Sequence, residues 1–501
     1  MSSTPVAVKS MPLKALLPDT GLTASQSDIA IKGVSSDSRK LGRGDLFLAY
    51  PGFSRDGRDF IDEAVNQQVA AIVYEQRGFE AVDRGSVLPF IGLENLQQQS
   101  SAIASRFYGE PSKQMEMIAI TGTNGKTSCC YWLSALLESL GCCVGQIGTL
   151  GVRLGSDEIK AASGMTTPDS IEVQKLLASF LAKGARCTVM EVSSHALDQG
   201  RVNAVDFDIA IFTNLGRDHL DYHGDEKAYK RAKARLFSSF ELQTAIINID
   251  DVFGEELIEK SLRAKNTVTY SLCNNDATVY LSDIRFDRKG SACLVHSPWG
   301  DVRIKVPFMG AYNLANLMAV VCAASSMGFD FYEIVSRLED LPMPPGRMQI
   351  VSDEDVTVIV DYAHTPDALE HALNTVRSHS DGVIWCVFGC GGDRDTGKRA
   401  LMGAVAARLA DRVVLTSDNP RSEDPQSIIS DIVSGIPTGK YICEPDRYKA
   451  IEEVLLRANS GDVILIAGKG HENYQEVNGV RKAFDDVAVA SEMLKHRARR
   501  A

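Results

Sequence analysis

The sequence lacks the segments that direct a protein into or across a membrane. It has 501 residues, yet no apolar run approaches the ~18 residues of a membrane-spanning helix. The first twenty residues contain no continuous apolar stretch of the kind that signal peptides carry. We therefore expect no membrane span and no secretory leader.

Positive charge and paired cysteine motifs are also scarce. Acidic residues outnumber basic ones by 65 to 53, and the net charge of −12 argues against a nucleic-acid partner bound by bulk electrostatics. The net charge does not exclude a local basic pocket for a phosphorylated small molecule. None of the eleven cysteines forms a Cys-x-x-Cys pair. Scattered within apolar segments, they predict buried, reduced thiols in a cytoplasmic protein.

The chain is long enough for two to four domains of roughly 100–200 residues, and its pattern changes twice. Residues 1–103 have the pattern of a small α/β domain. From Met117 a βαβ alternation predicts a parallel, doubly wound sheet, followed by short antiparallel strands at 278–307. The alternation restarts after the proline-rich stretch 342–348. The sequence thus predicts an α/β protein with an N-terminal domain (1–103), a central domain (104–343) and a Rossmann-like C-terminal domain (344–501).

A glycine-containing loop carries the strongest chemical signal. The run TGTNGKT (121–127) follows the apolar strand MIAI and precedes an apolar-periodic helix. In that setting backbone N–H groups and the helix N-terminus attract an anion. Lys126 can reach the outer phosphates of ATP, and the Thr127 hydroxyl can bind Mg²⁺. Ile120 stands where longer phosphate loops carry glycine, so this loop is a shortened relative.

The central domain is therefore predicted to be a P-loop ATPase-like domain. Its predicted ATP-binding residues are Gly122, Thr123, Asn124, Gly125, Lys126, Thr127 and Ser128.

GTNGKTS in this setting resembles the Mur ligases and the related folylpolyglutamate synthetases. The other motifs appear in the Mur order nearly end to end: SDSR (36–39), TTPDS (166–170), EVSSHALDQGR (191–201), TNLGRDHLDYHG (213–224), YKRAKARLF (229–237), GAYNLAN (310–316), PGRMQ (345–349), DYAHTPDAL (361–369), DNPRSEDP (418–425) and AGKGHE (467–472). The resemblance implies an ATP-dependent ligase of peptidoglycan precursor synthesis, which activates a carboxylate as an acyl phosphate and joins it to an amine. The implied substrates are UDP-N-acetylmuramoyl-L-alanyl-D-glutamate and meso-diaminopimelate, and a monomer is expected.

The resemblance also implies the catalytic residues Lys126, Glu191, His219 and Lys233. Glu191 ends an apolar strand, where a carboxylate lies near the nucleotide crevice. The family pattern assigns Glu191 and Thr127 to a first Mg²⁺ and His219 to a second. Lys233 matches the family lysine that CO₂ converts to a carbamate, which would hold or orient the second metal. From the residues alone, a surface salt bridge would be the favoured interpretation of Lys233.

Further binding residues follow from the same resemblance. Asn313 and Asn316 lie three apart at a predicted helix start and can face one ligand. The family pattern places Asn313 near adenine and adds Arg347, Asp361 and His364 as ATP contacts. The residues implied for the UDP-muramoyl peptide are Ser36, Ser38, Thr166, Thr167, Ser193, Gln199 and Arg201. Phe53 and Ser54 stand where relatives often carry His-Gln, which changes the expected contacts of that loop.

The motif DNPR is the most informative about the amine. Diaminopimelate and lysine differ by one carboxylate, which a guanidinium can hold with two hydrogen bonds. The same guanidinium would face an unpaired ammonium if lysine were bound, so Arg421 is predicted to select diaminopimelate. Glu472 is predicted to pair with the distal ammonium. The other residues implied for diaminopimelate are Arg394, Asp418, Asn419, Pro420 and Gly468.

Two alternatives remain open at this point. A folylpolyglutamate-type ligase would share the phosphate loop and the lysine carbamate but would lack the N-terminal UDP-binding domain. A phosphate-loop kinase or switch would turn over ATP without any amino acid.

Overall fold

The computed structural model describes residues 10–52, 55–79, 88–159, 165–260, 262–287, 290–437, 439 and 441–499. Phe53 and Ser54, singled out above, lie outside the described residues. Among the helices of the described residues, none combines the length and the apolar character that a membrane span requires.

A four-stranded parallel sheet forms the N-terminal part. Its elements are β1 (Met11–Pro12), α1 (Leu13–Leu16), α2 (Ala24–Ser27), β2 (Ala30–Ile31), β3 (Val34–Ser35), β4 (Leu46–Ala49), α3 (Ile61–Asn66), β5 (Ala71–Glu75), β6 (Phe90–Leu93) and α4 (Leu96–Phe107), with 3-10 helices at Ser38–Lys40 and Gly57–Phe60. Strands β3 to β6 pair in chain order. Helix α4 contributes Leu96, Ile103 and Phe107 to this core, so the predicted boundary at residue 103 falls inside a helix. The three predicted domain ranges stay a prediction.

The central part is built on an eleven-stranded sheet. Its elements are β7 (Glu116–Thr121), α5 (Lys126–Ser139), β8 (Val144–Gly148), β9 (Gly151–Leu154), β10 (Asp157–Ile159), α6 (Ser170–Ala182), β11 (Cys187–Glu191), α7 (Ser194–Asp198), β12 (Ile209–Phe212), α8 (Leu220–His223), α9 (Glu226–Ser238), β13 (Leu242–Asn248), α10 (Val252–Lys260), β14 (Ala264–Ser271), β15 (Val279–Asp287), β16 (Gly290–His296), β17 (Val302–Val306), α11 (Ala311–Ser326) and α12 (Phe331–Arg337), with a 3-10 helix at Pro111–Gln114. Strands β7, β11 and β12 are almost entirely buried, which explains why they read as continuous apolar runs.

The order of the strands in this sheet determines where a ligand can bind. The order is β10-β9-β8-β11-β7-β12-β13-β14-β15-β16-β17, with β7 between β11 and β12. The chain leaves β7 towards β8 on one side and later returns to β12 on the other, so the carboxyl end of β7 lies at the topological switch point. The predicted antiparallel strands are confirmed as β15 to β17. They extend the central sheet, since β14 pairs with β15.

The C-terminal part has a six-stranded sheet and an added hairpin. Its elements are β18 (Gln349–Asp353), β19 (Thr357–Asp361), α13 (Pro366–His379), β20 (Ile384–Phe388), α14 (Gly397–Leu409), β21 (Arg412–Leu415), α15 (Pro425–Val433), β22 (Ile442–Cys443), α16 (Arg447–Arg457), β23 (Val463–Ala467), β24 (Tyr474–Val477), β25 (Val480–Ala483) and α17 (Asp486–Ala498). The sheet order is β18-β19-β23-β20-β21-β22, and β19, β23, β20, β21 and β22 are parallel. The predicted α/β class is therefore confirmed.

Side chains from the C-terminal part contact the central part. The Gly310 N–H donates to Nε2 of His379 at 3.0 Å, and Nδ1 of His379 lies 2.6 Å from the Asp287 carbonyl oxygen. Nδ1 therefore carries the proton, and the imidazole is neutral. Burial lowers the pKa of His379, which agrees with this assignment.

The cysteines are all unpaired, as predicted, but they are not all buried. Seven are buried, Cys142 and Cys143 are half-buried, and Cys273 and Cys443 are exposed. The expectation of uniformly buried thiols is wrong at these positions, because Cys273 lies in a turn after β14 and Cys443 ends the edge strand β22.

Candidate functional site

The phosphate loop occupies the switch point at the end of β7. Gly122 and Gly125 have φ angles of 149° and 88°. A Cβ atom would lie 1.9 Å from Oγ1 of Thr213 at Gly122 and 2.3 Å from Oδ1 of Asn316 at Gly125. Both positions therefore require glycine, for backbone conformation and for space. Helix α5 begins at Lys126, so the unpaired N–H groups of its first turn lie in the loop.

Lys126 lies against its own loop. Its Nζ donates to the carbonyl oxygens of Gly122 at 2.9 Å and Thr123 at 2.8 Å. Burial lowers the pKa of this amine, while Glu191 and Asp218 act in the opposite direction. Lys126 thus lies in the predicted phosphate loop, where its amine was expected to reach the outer phosphates of ATP.

Glu191 is a buried carboxylate at the end of β11, beside the phosphate loop. The Thr127 hydroxyl donates to its Oε2 at 3.0 Å. Thr149 donates to it twice, from the backbone N–H to Oε1 at 2.8 Å and from Oγ1 to Oε2 at 3.1 Å. Sequence reasoning missed Thr149, because nothing in the motif around Glu191 indicates which residue of another loop will bind it.

The residues around Glu191 fit Mg²⁺. Within the described ranges, no three His, Cys, Asp or Glu side chains group closely enough to hold a metal ion by themselves. Mg²⁺ is usually bound by one or two protein carboxylates together with phosphate oxygens and water. The Glu191 carboxylate and the Thr127 hydroxyl supply hard oxygen donors beside a phosphate loop, which is the donor chemistry that this ion prefers.

Lys233 is buried under the phosphate loop and is no surface residue. Its side chain is 1% exposed, its Nζ donates to the Gly122 carbonyl at 2.7 Å, and it lies 4.6 Å from the centre of the Tyr229 ring. Burial, reinforced by the positive charge of Lys126, lowers the pKa of Lys233 well below its usual value. The amine is therefore predisposed to be neutral and nucleophilic.

His219 immediately precedes the short helix α8 and lies close to several other rings. Its φ is 53°, and its Nε2 lies 3.4 Å from the Asp218 carboxylate. Burial lowers the pKa of His219, although Asp218 opposes the shift. The His195 ring centre lies 4.8 Å away, and burial with the nearby histidines lowers the pKa of His195 to about 4. The sequence analysis did not select His195, although it lies within EVSSHALDQGR.

The two predicted nucleotide asparagines have different partners. Asn313 donates from Nδ2 to the Met309 carbonyl at 2.9 Å at the start of α11. Asn316 lies one turn further on, where its side chain borders Gly125 of the phosphate loop. Their common use for one ligand stays a prediction.

A residue at the start of the C-terminal part contacts the phosphate loop. Arg347 donates from Nη2 to the Thr127 hydroxyl at 3.3 Å and lies 4.5 Å over the ring of Tyr362. Asp361 accepts from the Met348 N–H at 2.7 Å and the Ala363 N–H at 2.8 Å. Burial raises the pKa of Asp361. Asp361 thus holds the segment that carries Arg347.

His364 lies in the same segment, with Nδ1 3.0 Å from the Tyr362 carbonyl oxygen. Burial lowers the pKa of His364. Nearby, the Arg217 N–H donates to the Asp367 carboxylate at 3.4 Å. The contact between Arg217 and Asp367 joins the RDH and DYAHTPD motifs across the central and C-terminal parts.

The predicted muramoyl-peptide residues group around the end of β11. Thr167 donates to the Glu191 carbonyl at 2.8 Å and accepts from the Ser193 N–H at 3.1 Å. Arg201 donates from Nη1 to the Thr167 carbonyl at 2.7 Å and from Nε to Oε1 of Gln199 at 2.9 Å. The hydroxyls of Thr166 and Thr149 lie 3.1 Å apart.

Ser36 and Ser38 lie in the N-terminal part. The side chain of Ser36 lies close to that of Tyr50, and Ser38 is the buried first residue of a 3-10 helix. Tyr50 also interacts with Ser100 and Ser170, whose hydroxyls lie 2.7 Å apart across the boundary with the central part. Tyr50 was not predicted from the sequence, although it lies three residues before Phe53, where the chain departs from the family pattern.

The AGKGHE and DNPR motifs meet at the carboxyl ends of β23 and β21. Asn419 donates from Nδ2 to Oε2 of Glu472 at 2.7 Å. The fully buried Lys469 donates to both, at 3.1 Å to Oδ1 of Asn419 and at 3.2 Å to Oε2 of Glu472. Gly468 has φ of 110°, and a Cβ there would lie 2.6 Å from the Asp418 carboxylate. Lys469 was missed, although it stands between two predicted residues.

Arg421 has an unusual backbone. Its φ is 51°, its N–H donates to the Glu476 carbonyl at 3.0 Å, and its carbonyl accepts from the Asn478 N–H at 2.6 Å. Nη1 donates to the Gly392 carbonyl at 2.6 Å. A non-glycine residue held in the left-handed region is strained, and such strain clusters at functional sites. Pro420 precedes it, and Arg394 lines the same cleft.

One continuous cleft of about 1060 Å³ is lined by ten of the predicted residues. Its lining comes from all three parts: Tyr50 and Gly52; Met165, Asp169, Gln199, Arg201 and residues 217–222; and His364, Arg394, Asp418, Asn419, Arg421, Gly468 and Glu472. The other predicted residues do not line this cleft; they are Ser36, Ser38, those of the phosphate loop, Thr166, Thr167, Glu191, Ser193, Lys233, Asn313, Arg347, Asp361 and Pro420.

Three family models match the chain in the order of these parts. Residues 30–108 match the Mur ligase family, catalytic domain. Residues 120–324 match the Mur ligase middle domain, and residues 346–470 match the Mur ligase, glutamate ligase domain.

The chain is also similar to named proteins over nearly its whole length. The UDP-N-acetylmuramoyl-L-alanyl-D-glutamate–2,6-diaminopimelate ligase of Ectopseudomonas mendocina (strain ymp) is 46% identical over 97% of this chain and 98% of its own. The chain belongs to the Mur ligase family. A solved structure of a UDP-N-acetylmuramoyl-L-alanyl-D-glutamate–2,6-diaminopimelate ligase matches this Mur ligase with a TM-score of 0.72 and 36% identity, covering 98% of this chain and 99% of the other.

The folylpolyglutamate alternative is related only at the level of fold. The Mycobacterium tuberculosis folylpolyglutamate synthase, solved with ADP and AMPPCP, has a TM-score of 0.62 and 18% identity. It covers 74% of this Mur ligase. The family models and the 46% identity to the Ectopseudomonas mendocina ligase confirm the resemblance to the Mur ligases that the motifs indicated.

Proposed function

We propose that this Mur ligase uses ATP to join meso-diaminopimelate to the D-glutamate of UDP-N-acetylmuramoyl-L-alanyl-D-glutamate, in peptidoglycan precursor synthesis. One observation carries the proposal. A single cleft runs from the N-terminal part, past His219, to Arg421 and Glu472, and so offers one path for a long nucleotide-peptide and for a second amino acid. The name of the relative that is 46% identical supports the same reaction.

The first step forms an acyl phosphate. A carboxylate oxygen of the peptide attacks the γ-phosphorus of ATP, the bond to the bridging oxygen breaks, and ADP leaves. Both reactants are anionic, so catalysis consists mainly of positioning and charge stabilisation. Lys126 supplies a cation at the phosphate loop, and Arg347 brings a second from the C-terminal part to Thr127.

Glu191 and Thr127 are the residues that would hold Mg²⁺, with His219 and Lys233 assigned to a second ion. When bound, the metal supplies positive charge that offsets the phosphate oxygens. Thr149 and Thr127 hold the Glu191 carboxylate in place through three hydrogen bonds.

Lys233 is proposed to carry a carbamate. Its neutral amine adds to the carbon of CO₂ and releases one proton, which replaces a buried neutral amine with an anionic carbamate. The support is its burial and its pKa well below the usual value. Isotopically labelled bicarbonate should give a carbamate signal in the carbon NMR spectrum that Lys233→Ala abolishes. A signal of equal strength in the variant would rule out this assignment.

The second step forms the amide. The amine of diaminopimelate attacks the acyl carbon, and phosphate leaves as an amine proton is lost. The distal end of the amino acid is proposed to lie between the Arg421 guanidinium and the Glu472 carboxylate. These groups complement one carboxylate and one ammonium, whereas lysine would leave Arg421 without its anion.

The N-terminal part is proposed to hold UDP through Ser36 and Ser38. We also propose that the protein acts as a monomer in the cytoplasm, where its eleven unpaired cysteines would stay reduced.

The test is a coupled phosphate-release assay with each substrate omitted in turn. We expect release only when the UDP-muramoyl-dipeptide and diaminopimelate are both present. A heavy-oxygen label placed in the peptide carboxylate should appear in the released phosphate. Robust release without the amino acid would support a kinase or switch, and absence of the label from phosphate would refute the acyl phosphate.

A further inference from the structure

A fully buried ion pair lies directly behind the amino-acid region of the cleft. Arg447 and Asp486 have no exposed side-chain area. Nε and Nη2 of the guanidinium donate to both carboxylate oxygens at 2.7 Å. Removing two charges from water is unfavourable, and apolar replacements of such pairs are often as stable or more stable. The pair is therefore weak evidence of a contribution to stability, and neither residue belongs to a motif used above.

The remaining donors of Arg447 bind two backbone carbonyls. Nη2 donates to the Ala467 carbonyl at 2.9 Å, and Nη1 donates to the Ser417 carbonyl at 3.4 Å. Ala467 ends β23 immediately before Gly468, and Ser417 follows β21 immediately before Asp418. One guanidinium thus holds the starts of both loops that form the amino-acid site.

The sheet itself does not connect these two strand ends. Strand β20 lies between β21 and β23, so no ladder hydrogen bond joins them, and two strand spacings amount to roughly 10 Å. Arg447 links the two strand ends from behind.

The position of Arg447 also runs against local helix preference. It is the first residue of α16, where the helix dipole disfavours a cation. Asp486 is the first residue of α17, where a carboxylate is favoured. The preceding residues, Asp446 and Asp485, already cap the two helices. A buried arginine that breaks a local rule and is not needed as a cap indicates a requirement of the site.

We propose that Arg447, held by Asp486, is a positioning residue for the amino-acid substrate. It fixes the separation of the loop bearing Asn419 from the loop bearing Glu472, whose side chains meet at 2.7 Å. The inference rests on the proposed function, because it concerns the binding of diaminopimelate. Misplacement of a site by about 1 Å can cost on the order of 100-fold in rate.

The test compares two double variants of the full chain. Arg447→Met with Asp486→Leu removes the pair but keeps similar volume. We expect kcat/KM for diaminopimelate to fall by roughly 10–100-fold, mainly through KM, while KM for ATP is unchanged. The single variant Arg447→Lys keeps the ion pair but cannot hold both carbonyls. Its kcat/KM for diaminopimelate should therefore lie between those of the double variant and the unaltered protein.

A matched control lies near the amino end of β19 in the same sheet, where Asp355 occupies the turn between β18 and β19. Arg497 pairs with Asp355 at 2.7 Å and also donates to the carbonyls of Leu455 and Ala458, at 2.6 and 2.7 Å. Arg497→Met with Asp355→Leu should leave KM for diaminopimelate unchanged. Thermal unfolding of both double variants establishes that they are folded.

Equal KM for diaminopimelate in the Arg447 variants, the control and the unaltered protein would overturn the inference and leave the proposed function intact. Failure of the unaltered protein to join diaminopimelate would overturn both. If the Arg447 double variant does not fold, Asp486→Asn serves instead, because it keeps the shape and removes the charge. A raised KM for diaminopimelate in that variant supports the inference, and an unchanged KM overturns it.

Discussion

Replacing Arg421 with glycine should lower the activity of this Mur ligase while leaving its stability nearly unchanged. Arg421 has φ of 51°, which costs a non-glycine residue about 1–2 kcal/mol and glycine almost nothing. The substitution also removes the hydrogen bond from Nη1 to the Gly392 carbonyl, which is worth about 1 kcal/mol net. The two effects nearly cancel, so the free energy of unfolding should change by less than about 1 kcal/mol.

The effect on catalysis should be much larger. Loss of charge-assisted hydrogen bonds to the distal carboxylate costs about 1.5–3 kcal/mol, which corresponds to roughly 10–100-fold in kcat/KM for diaminopimelate. Arg421→Ala removes the same guanidinium but leaves a Cβ in the left-handed region. It should therefore match Arg421→Gly in activity and be less stable by about 1 kcal/mol.

The assay is phosphate release with diaminopimelate and lysine offered side by side, together with denaturant unfolding of each variant. Arg408→Ala is the control, because Arg408 is an exposed arginine of the same domain that pairs with Glu370. Discrimination between the two amino acids should collapse in both Arg421 variants and persist in the control. Unchanged kcat/KM for diaminopimelate in Arg421→Gly would refute the assigned role, and a large loss of stability would refute the backbone argument.

Three further predictions concern charge. Lys126→Met should lower the rate of ADP formation in a single turnover by about 100-fold or more, and a normal rate would exclude Lys126 from the first step. Lys233→Ala should lower kcat, and added acetate should restore part of it by replacing the lost anion; absence of rescue would count against a carbamate. Stability should fall as pH drops below about 6.5, because the folded-state pKa of His379 is depressed and the unfolded chain binds its proton more readily. His379→Asn should reduce the dependence of stability on pH, measured by thermal unfolding at several pH values. An unchanged dependence would show that His379 is not its cause.

The phosphate loop could be predicted from contiguous residues alone. A buried strand, two glycines and a helix start follow each other within Glu116–Ser139, and each of these preferences is local. The strand ends carrying Glu191 and the DNPR motif could be predicted for the same reason. The order of the motifs along the chain also sufficed to recognise the family.

Other parts of the site depend on contacts between distant residues. Thr149 binds Glu191 from 42 residues away, Lys469 binds Asn419 from 50, and Arg447 binds Asp486 from 39. A local pattern contains no information about such partners, because their meeting depends on the order of strands in each sheet.

Lys233 shows the same limit most directly. Its sequence neighbourhood is that of a solvent-exposed helix, and the amino-acid sequence by itself favours a charged surface lysine. Packing of α9 beneath the phosphate loop buries the side chain and lowers its pKa. The sequence determined where lysine stands, and only the tertiary structure decided its surroundings, because desolvation depends on the atoms that the fold packs around a charge.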